Sequence, residues 1–322
     1  MSLDTIKAIV IDELNAVEEE IHAATQSDVI LVRDIVQHIM KNGKRIRPLL
    51  ALLACASFDQ PNKNHILLAS IVEFILHPPR FLHDDVVDNS EMRRGTSTAN
   101  QLWGNDASVL VGDYLYSRAF QQLVTMNEHS LMVILAETMN IMAEGEVLQL
   151  MHKHNINIDD IIYFRVINAK TAVLFSATCE MAATLTNASP ELVRHSANFG
   201  RHIGLSFQLI DDALDYTGDA TQLGKNIGDD LAEGKMTLPL IHALTHANDA
   251  QKQQLHEIIA TGNINNMDTV KKMIDQHNSV EYTLQLARDH QALALEALKH
   301  FPASIYTTAI SKLTEFILNR HY

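Results

Sequence analysis

Residues 190–216 read PELVRHSANFGRHIGLSFQLIDDALDY, and this stretch decides the fold class because its apolar residues recur every three or four positions. That spacing is typical of an amphipathic α-helix. The same spacing recurs in twelve other segments, which are 4–24, 28–41, 48–58, 64–77, 105–125, 129–153, 158–185, 237–247, 250–261, 266–277, 280–299 and 303–320. No segment alternates apolar and polar residues as a strand does. The sequence therefore predicts an all-α protein.

Two helical segments indicate one large bundle, because 105–125 and 170–185 are apolar around most of their circumference. Such helices belong at the centre of a bundle. With 322 residues and 47% apolar composition, the chain can bury a sizeable core. No Pro/Gly/Ser-rich stretch or charge block divides it. We expect a single domain over 1–322, a large helical bundle with a central active-site cavity.

Charge and cysteine content narrow the possible classes of protein. The formal net charge of -14 argues against broad nucleic-acid binding, which needs clustered basic residues. Cys55 and Cys179 both lie in apolar helical patterns, which predicts buried free thiols. The chain has 17 histidines, but those of His152-Lys153-His154 and of His195 to His202 lack acidic or cysteine companions at ligand spacing, so solvated helix faces are expected to hold them.

The chain shows no sign of export or of a membrane span. Its N-terminal residues do not form a basic segment followed by an apolar one. No uninterrupted apolar run reaches the ~18 residues that a spanning helix needs. We expect a cytoplasmic enzyme without a transmembrane segment, and a very apolar product would be released at the membrane surface.

Three carboxylates lie close together in His83-Asp84-Asp85-Val86-Val87-Asp88, and Arg93-Arg94 follows them. On a helix, Asp84 and Asp88 share a face. Carboxylates at this spacing repel one another unless a cation neutralises them, and oxygen ligands suit Mg²⁺. Taken alone, the motif is equally compatible with an acidic helix start or a solvated face.

A second copy of the motif, in 208–215, favours a metal site over an acidic helix start or a solvated face. Asp211, Asp212 and Asp215 repeat the spacing inside an apolar segment. Burying such a cluster without cations is costly. Two facing aspartate-rich helices predict a Mg²⁺ site for a diphosphate, where the metal neutralises the charge that develops as the diphosphate leaves.

A small basic cluster lies in Gly43-Lys44-Arg45-Ile46-Arg47-Pro48. Lys44 and Arg47 are three residues apart, and Arg94 is a candidate third member. Arginine binds phosphate oxygens through a fork, whereas lysine acts as a point charge. The cluster therefore suggests a second anionic substrate, although a cluster of this size is more often a solvated surface.

These motifs occur in an order that resembles the trans-isoprenyl diphosphate synthases over nearly the whole chain. The matching segments are GKRIRP, HDDVVD with RRG, Lys170-Thr171-Ala172, FQLIDD with LDY, and GKNIGDD through Gly234-Lys235. The AEGE segment at 143–146 and the KMTLP segment at 235–239 are most similar to bacterial octaprenyl diphosphate synthases.

The resemblance implies a role for each matching residue. Three Mg²⁺ ions would be held by the aspartates of the two motifs, Asp84, Asp85, Asp88, Asp211, Asp212 and Asp215. Isopentenyl diphosphate would be bound by the basic residues Lys44, Arg47, His77 and Arg94. The allylic diphosphate would be held by Arg93, Lys170, Thr171, Gln208 and Lys225. Lys235 would close over it, and Phe207 would lie beside isopentenyl diphosphate.

The resemblance also implies the reaction. Isopentenyl diphosphate would condense with an allylic diphosphate such as farnesyl diphosphate to give a long-chain product, octaprenyl diphosphate, for quinone side chains. The catalytic residues would be Asp84, Asp88, Lys170, Gln208, Asp211, Lys225 and Lys235. The loop 224–235 would exclude water. A homodimer is expected, with helix 105–125 as a plausible interface.

One segment departs from the family. Between Glu73 and His83 the family usually follows the pattern EFIHTATLLH, whereas this chain is one residue longer and contains Pro78-Pro79. The two prolines predict a break or kink before the first aspartate motif. A natural adaptation and a compensated frame shift or sequence error both explain it.

Two other functions are compatible with part of this pattern. A terpene cyclase usually lacks the second aspartate motif and does not need GKRIRP. A catalytically silent subunit usually loses aspartates, and this chain keeps all six. The Pro78-Pro79 segment is the feature that favours a silent subunit.

Overall fold

The computed structural model describes residues 2–40, 43–76, 78–93, 95–217, 228–262 and 266–318, without the side chains of 75–80. Its first half contains α1 (Leu3–Lys7), a 3₁₀ turn (Ala8–Val10), α2 (Ile11–Ala24), α3 (Ile30–Met40), α4 (Ile46–Phe58), α5 (Lys63–Leu76), α6 (Pro78–Val87), β1 (Met92–Arg93), β2 (Thr96–Ser97), α7 (Ala99–Trp103), α8 (Asn105–Thr125) and α9 (His129–Met151).

The second half contains α10 (Asp160–Ile167), a π-helical turn (Asn168–Ala172), α11 (Val173–Leu185), α12 (Pro190–Thr217), α13 (Asp229–Ala232), α14 (Leu238–His246), α15 (Asp249–Thr261), α16 (Met267–Gln276), α17 (Ser279–Leu298) and α18 (Ile305–Leu318). The prediction of an all-α protein is confirmed. None of the helices in the described part of the chain is long and apolar enough to cross a membrane.

A short hairpin corrects the prediction that no segment forms a strand. β1 and β2 are antiparallel, with Met92 opposite Ser97 and Arg93 opposite Thr96. Gly95 lies in the turn with φ +75°, a conformation that glycine adopts without steric cost. Strands of two residues are too short to show an alternating pattern, so periodicity cannot predict them.

The contacts divide the chain into two compact units, and both are discontinuous in sequence. The first contains Met1–Ala136, Ala177–Asn198 and Ala297–Phe316, and the second contains Glu137–Ser176, Phe199–Glu296 and Ile317–Tyr322. Fully buried Leu53 and Phe74 belong to the core of the first unit, and Phe175 and Phe199 to that of the second. The single domain over 1–322 stays a prediction.

The break predicted before the first aspartate motif falls on His77, which lies outside the described residues, so the break stays a prediction. The described backbone is helical on both sides of that residue, in α5 up to Leu76 and in α6 from Pro78.

The α-helical pattern is interrupted between α10 and α11, where the sequence predicts one helix over 158–185. Asp159 caps α10, and its Oδ1 accepts a hydrogen bond of 2.9 Å from the amide of Ile162. The π-helical turn that follows contains Lys170 and Thr171. Such turns add a residue to a helix and often occur at functional sites.

The two cysteines are free and buried, as predicted. Burial raises the pKa of both thiols, and for Cys55 the neighbouring Cys179 adds to the effect. Both thiols therefore stay protonated and contribute to packing.

Stability is expected to fall as the pH drops below 6.5 because of a half-buried histidine pair. His202 on α12 and His290 on α17 share a hydrogen bond of 3.0 Å between their Nδ1 atoms, which requires one ring to be neutral. Burial, with smaller contributions from His202 and Arg201, lowers the pKa of His290 to about 4, and Asp289 opposes this shift. Burial and Arg201 also lower the pKa of His202.

Because the unfolded chain binds more protons between about pH 4 and 6.5, acid favours unfolding in that window. The variant His290→Gln should flatten this part of the stability curve, measured by thermal unfolding from pH 4 to 8. The control is His129→Gln, which changes an exposed histidine at the start of α9. Equal slopes in wild type and His290→Gln would contradict the prediction.

Candidate active site

The first aspartate motif lies at the end of α6 in the first unit. The amide of Asp88 donates a 2.8 Å hydrogen bond to the carbonyl of Asp84, so the helical geometry continues through the motif. Asp84 and Asp88 are half-buried, and Asp85 is buried. The first and last carboxylates therefore share one helix face, as predicted.

The middle carboxylate of this motif is bound by the protein. Nε and Nη2 of Arg93 lie 2.8 Å and 2.7 Å from Oδ1 of Asp85. The guanidinium carbon of Arg93 also lies 4.2 Å from the centre of the Phe81 ring. Burial raises the pKa of Asp85 despite Arg93, and Asp84 and Asp88 add to the rise. Asp85, a predicted metal ligand, is thus paired with Arg93, which was predicted to bind the allylic diphosphate.

The second motif lies on α12 in the second unit and has a similar arrangement. Gln208 Nε2 donates to Asp212 Oδ1 at 2.8 Å, and the Tyr163 hydroxyl donates to Asp212 Oδ2 at 2.6 Å. Thr171 Oγ1 donates to Gln208 Oε1 at 2.7 Å. The middle carboxylate again accepts hydrogen bonds from the protein, and the predicted residues Thr171 and Gln208 belong to the same chain of bonds.

The electrostatics of the second motif favour a cation. Burial raises the pKa of Asp212 to about 7, Asp230 and Asp211 raise it too, and the bonds from Tyr163 and Gln208 oppose the rise. Asp215 is buried and Asp211 is half-buried. Neither Tyr163 nor Asp230 was predicted, because each is distant in sequence from the motif.

Two of the predicted lysines are paired with carboxylates of the same unit. Lys170 Nζ lies 2.6 Å from Glu146 Oε2 and also donates to Gln149. Lys235 Nζ forms an ion pair with Glu233. Glu146 belongs to the AEGE segment, so that segment supplies a partner for Lys170. If a diphosphate bound there, each lysine would exchange its carboxylate partner for phosphate oxygens.

Phe207 is half-buried on α12, one residue before Gln208. Its ring centre lies 5.5 Å from that of Phe175, with the rings tilted by 41°. This contact fixes the ring of Phe207 within the second unit.

The basic cluster lies at the start of α4 in the first unit. Lys44 is exposed and Arg47 is half-buried at the second position of the helix. Arg45, which the sequence did not single out, forms ion pairs with Glu18 and Glu73. His77, Arg94 and Lys225 lie outside the described residues.

The residues of both motifs fit Mg²⁺ in their chemistry. They supply carboxylate oxygens, which hard cations prefer, and a bound cation would offset the burial, and the smaller carboxylate repulsion, that raise the pKa of Asp85 and Asp212. Within the described residues, no three His, Cys, Asp or Glu side chains form a ready-made metal cage. This arrangement suits ions that are held jointly by carboxylates and a diphosphate.

Comparisons with known proteins agree with this chemistry. The model of the polyprenyl synthetase family matches residues 30–277. Octaprenyl diphosphate synthase from Haemophilus influenzae is 41% identical over 324 residues, which cover 100% of this chain and 98% of that protein.

Two solved structures are similar over their full length. A polyprenyl synthase from Caulobacter crescentus CB15, complexed with calcium and isoprenyl diphosphate, has a TM-score of 0.95 and 37% identity over 100% of this chain and 98% of that one. A decaprenyl diphosphate synthase from Rhodobacter capsulatus has a TM-score of 0.94 and 35% identity over 100% of both chains. The chain therefore belongs to the polyprenyl synthetase family and is a prenyl transferase of that family.

Proposed function

We propose that this enzyme condenses isopentenyl diphosphate with an allylic diphosphate in the presence of Mg²⁺ and makes a long-chain polyprenyl diphosphate. One observation carries the proposal. In each aspartate motif the middle carboxylate is bound by protein groups, Arg93 for Asp85 and Tyr163 for Asp212. The first and last carboxylates lie one helical turn apart, which is the spacing needed to share a metal.

Accordingly, Asp84 and Asp88 bind Mg²⁺ in the first motif, and Asp211 and Asp215 bind it in the second. Asp85 and Asp212 orient the two motifs through their bonds to Arg93 and Tyr163. Three ions are proposed by analogy with the family. When bound, Mg²⁺ supplies positive charge that stabilises the departing diphosphate.

The remaining residues divide between two anionic substrates. Lys44, Arg47, His77 and Arg94 bind isopentenyl diphosphate. Arg93, Lys170, Thr171, Gln208, Lys225 and Lys235 bind the allylic diphosphate. The bonds from Thr171 to Gln208 and from Gln208 to Asp212 support this assignment because they link the substrate residues to the second metal motif. Phe207 lies near isopentenyl diphosphate, where an aromatic face stabilises a carbocation.

The reaction has three steps. The C–O bond of the allylic diphosphate breaks and leaves an allylic cation and inorganic diphosphate. The double bond of isopentenyl diphosphate then attacks the cation and forms the new C–C bond. A proton is finally lost to the departing diphosphate, which restores a double bond. The side chains of the site bind, orient and exclude water, and no protein nucleophile takes part.

The octaprenyl product is supported by the Haemophilus influenzae relative. We propose farnesyl diphosphate as the primer and a quinone side chain as the destination of the product. A cytoplasmic homodimer with α8 in its interface, with product release at the membrane surface, completes the proposal. Nucleic acid has no part in it.

The test is incorporation of labelled isopentenyl diphosphate by the purified chain with farnesyl diphosphate and Mg²⁺. We expect octaprenyl diphosphate as the main product, loss of incorporation with a chelator, and recovery with excess Mg²⁺. No incorporation with farnesyl or geranyl diphosphate would overturn the proposed reaction. A short product would overturn the long-chain assignment and leave the prenyl transfer intact.

A further inference from the structure

Arg45 adopts an uncommon backbone conformation between the exposed Lys44 and α4. Its φ is +55° and its ψ is +36°, in the left-handed region, where residues other than glycine are uncommon. Its carbonyl accepts a 3.1 Å hydrogen bond from the amide of Leu49 and so begins α4. A conformation of this kind persists only when the surrounding structure holds it in place.

The side chain of Arg45 supplies that restraint. Nε donates to Glu18 Oε1 at 2.5 Å, and Nη1 donates to Glu73 Oε1 at 2.8 Å. Nη2 donates to Glu18 Oε2 at 3.1 Å and to the carbonyl of Met40 at 3.2 Å. A single guanidinium therefore joins α2, the end of α3 and α5. Only a rigid fork with several donors makes such an arrangement.

The partner on α5 is strongly buried. The side chain of Glu73 is 3% exposed and that of Arg45 is 13% exposed, whereas Glu18 is 48% exposed. A carboxylate as buried as Glu73 needs a cation, so this pair is a fixed part of the first unit. The exposed Glu18 contributes less, because water screens it.

Gly43 makes room for this guanidinium. A Cβ built on Gly43 would lie 2.7 Å from Nη1 of Arg45, which is closer than real contacts. Its backbone conformation does not itself require glycine. The Gly-Lys-Arg order of the motif is thus explained by packing, with the arginine turned inward to the protein.

We infer that Arg45 is a positioning residue that fixes the backbone presenting Lys44 and Arg47 to the diphosphate of isopentenyl diphosphate, with Glu73 as its anchor. The inference rests on the proposed function, because that function assigns Lys44 and Arg47 to this substrate. Lys44 precedes Arg45 directly, and Arg47 follows it within the first turn of α4. A change in the conformation of Arg45 would therefore move both cations.

The test compares Arg45→Gln, Arg45→Lys and Glu73→Gln with wild type. We expect Arg45→Gln to raise KM for isopentenyl diphosphate about tenfold, while KM for the allylic substrate stays within about twofold. Glu73→Gln should raise the same KM, and the double variant should add little, because both changes break one pair. Arg45→Lys should be intermediate, since it keeps the charge and loses the fork. Arg288→Gln, which removes a surface ion pair with Glu281, is the control and should match wild type.

Hydrogen exchange gives a readout that does not depend on activity. The amide of Leu49 should exchange faster in Arg45→Gln, while the amides in the rest of α4 stay protected. Equal effects on both KM values, an effect on kcat alone, or unfolding of all three variants would overturn the positioning role. The wild-type assay comes first. If wild type incorporates no isopentenyl diphosphate, the proposed function fails. The exchange rate of the Leu49 amide still decides whether Arg45 fixes the backbone at Lys44 and Arg47.

Discussion

Replacing Asp84 with asparagine is expected to lower kcat for isopentenyl diphosphate incorporation by about 100-fold or more. The substitution keeps the size of the side chain and removes its charge, so the first motif holds its metal less well. Asp84 shares a helix face with Asp88, and their backbone bond of 2.8 Å does not involve the side chain. The fold should therefore be unaffected.

Initial rates at several Mg²⁺ concentrations check this result. The matched control is Asp106→Asn, because Asp106 is an exposed aspartate in the first turn of α8 in the same unit. We expect the control to retain wild-type kcat and both proteins to unfold at similar temperatures. Near-normal turnover by Asp84→Asn at saturating Mg²⁺ would remove the first motif from the reaction.

The second large effect concerns stability, where α12 closely approaches α11. A Cβ on Gly200 would lie 2.1 Å from the carbonyl oxygen of Phe175, and a Cβ on Gly204 would lie 2.5 Å from Cα of Ala172. These neighbours are backbone atoms, which cannot rotate away. Gly200→Ala is expected to lower the free energy of unfolding by about 3 kcal/mol.

Denaturant unfolding measures this loss. Asn198→Ala on the same helix is the control, because Asn198 is exposed and alanine favours a helix. Gly204→Ala should also weaken substrate binding, since Ala172 directly follows the predicted substrate residue Thr171. Unchanged stability of Gly200→Ala would mean that the two helices have room to separate.

Local features of the sequence predicted much of the fold. The helical periodicity was sufficient for the long helices. The break that Pro78 and Pro79 predict falls on His77, outside the described residues, and stays a prediction. The π-helical turn at Asn168–Ala172 was missed because a single extra residue in a helix leaves no clear periodic signal.

The partners of the site residues were harder to predict. Tyr163 binds Asp212 across 49 positions, and no spacing rule connects residues so distant in sequence. His154 was expected on a solvated helix face, and that prediction was wrong. Its φ is +57°, its amide donates to the carbonyl of Gly234 at 2.8 Å, and its Nδ1 bonds the carbonyl of Ile259 at 2.7 Å.

The segment between Glu73 and His83 remains the main departure from the family pattern. Upstream of this segment, Glu73 keeps its ion pair with Arg45. Downstream, Asp84 and Asp88 keep their helical spacing. Because the contacts of the site residues are kept on both sides of the segment, we expect the chain to be active as it stands.

The most direct measurement is incorporation of labelled isopentenyl diphosphate by the unmodified chain, run beside a variant in which 76–81 is restored to the family pattern. Farnesyl diphosphate and Mg²⁺ are supplied, and product length is read. We predict long products from the unmodified chain at a rate within about tenfold of the restored variant. Incorporation that appears only after the restoration would contradict this account, and would mean that the motifs are intact but misaligned.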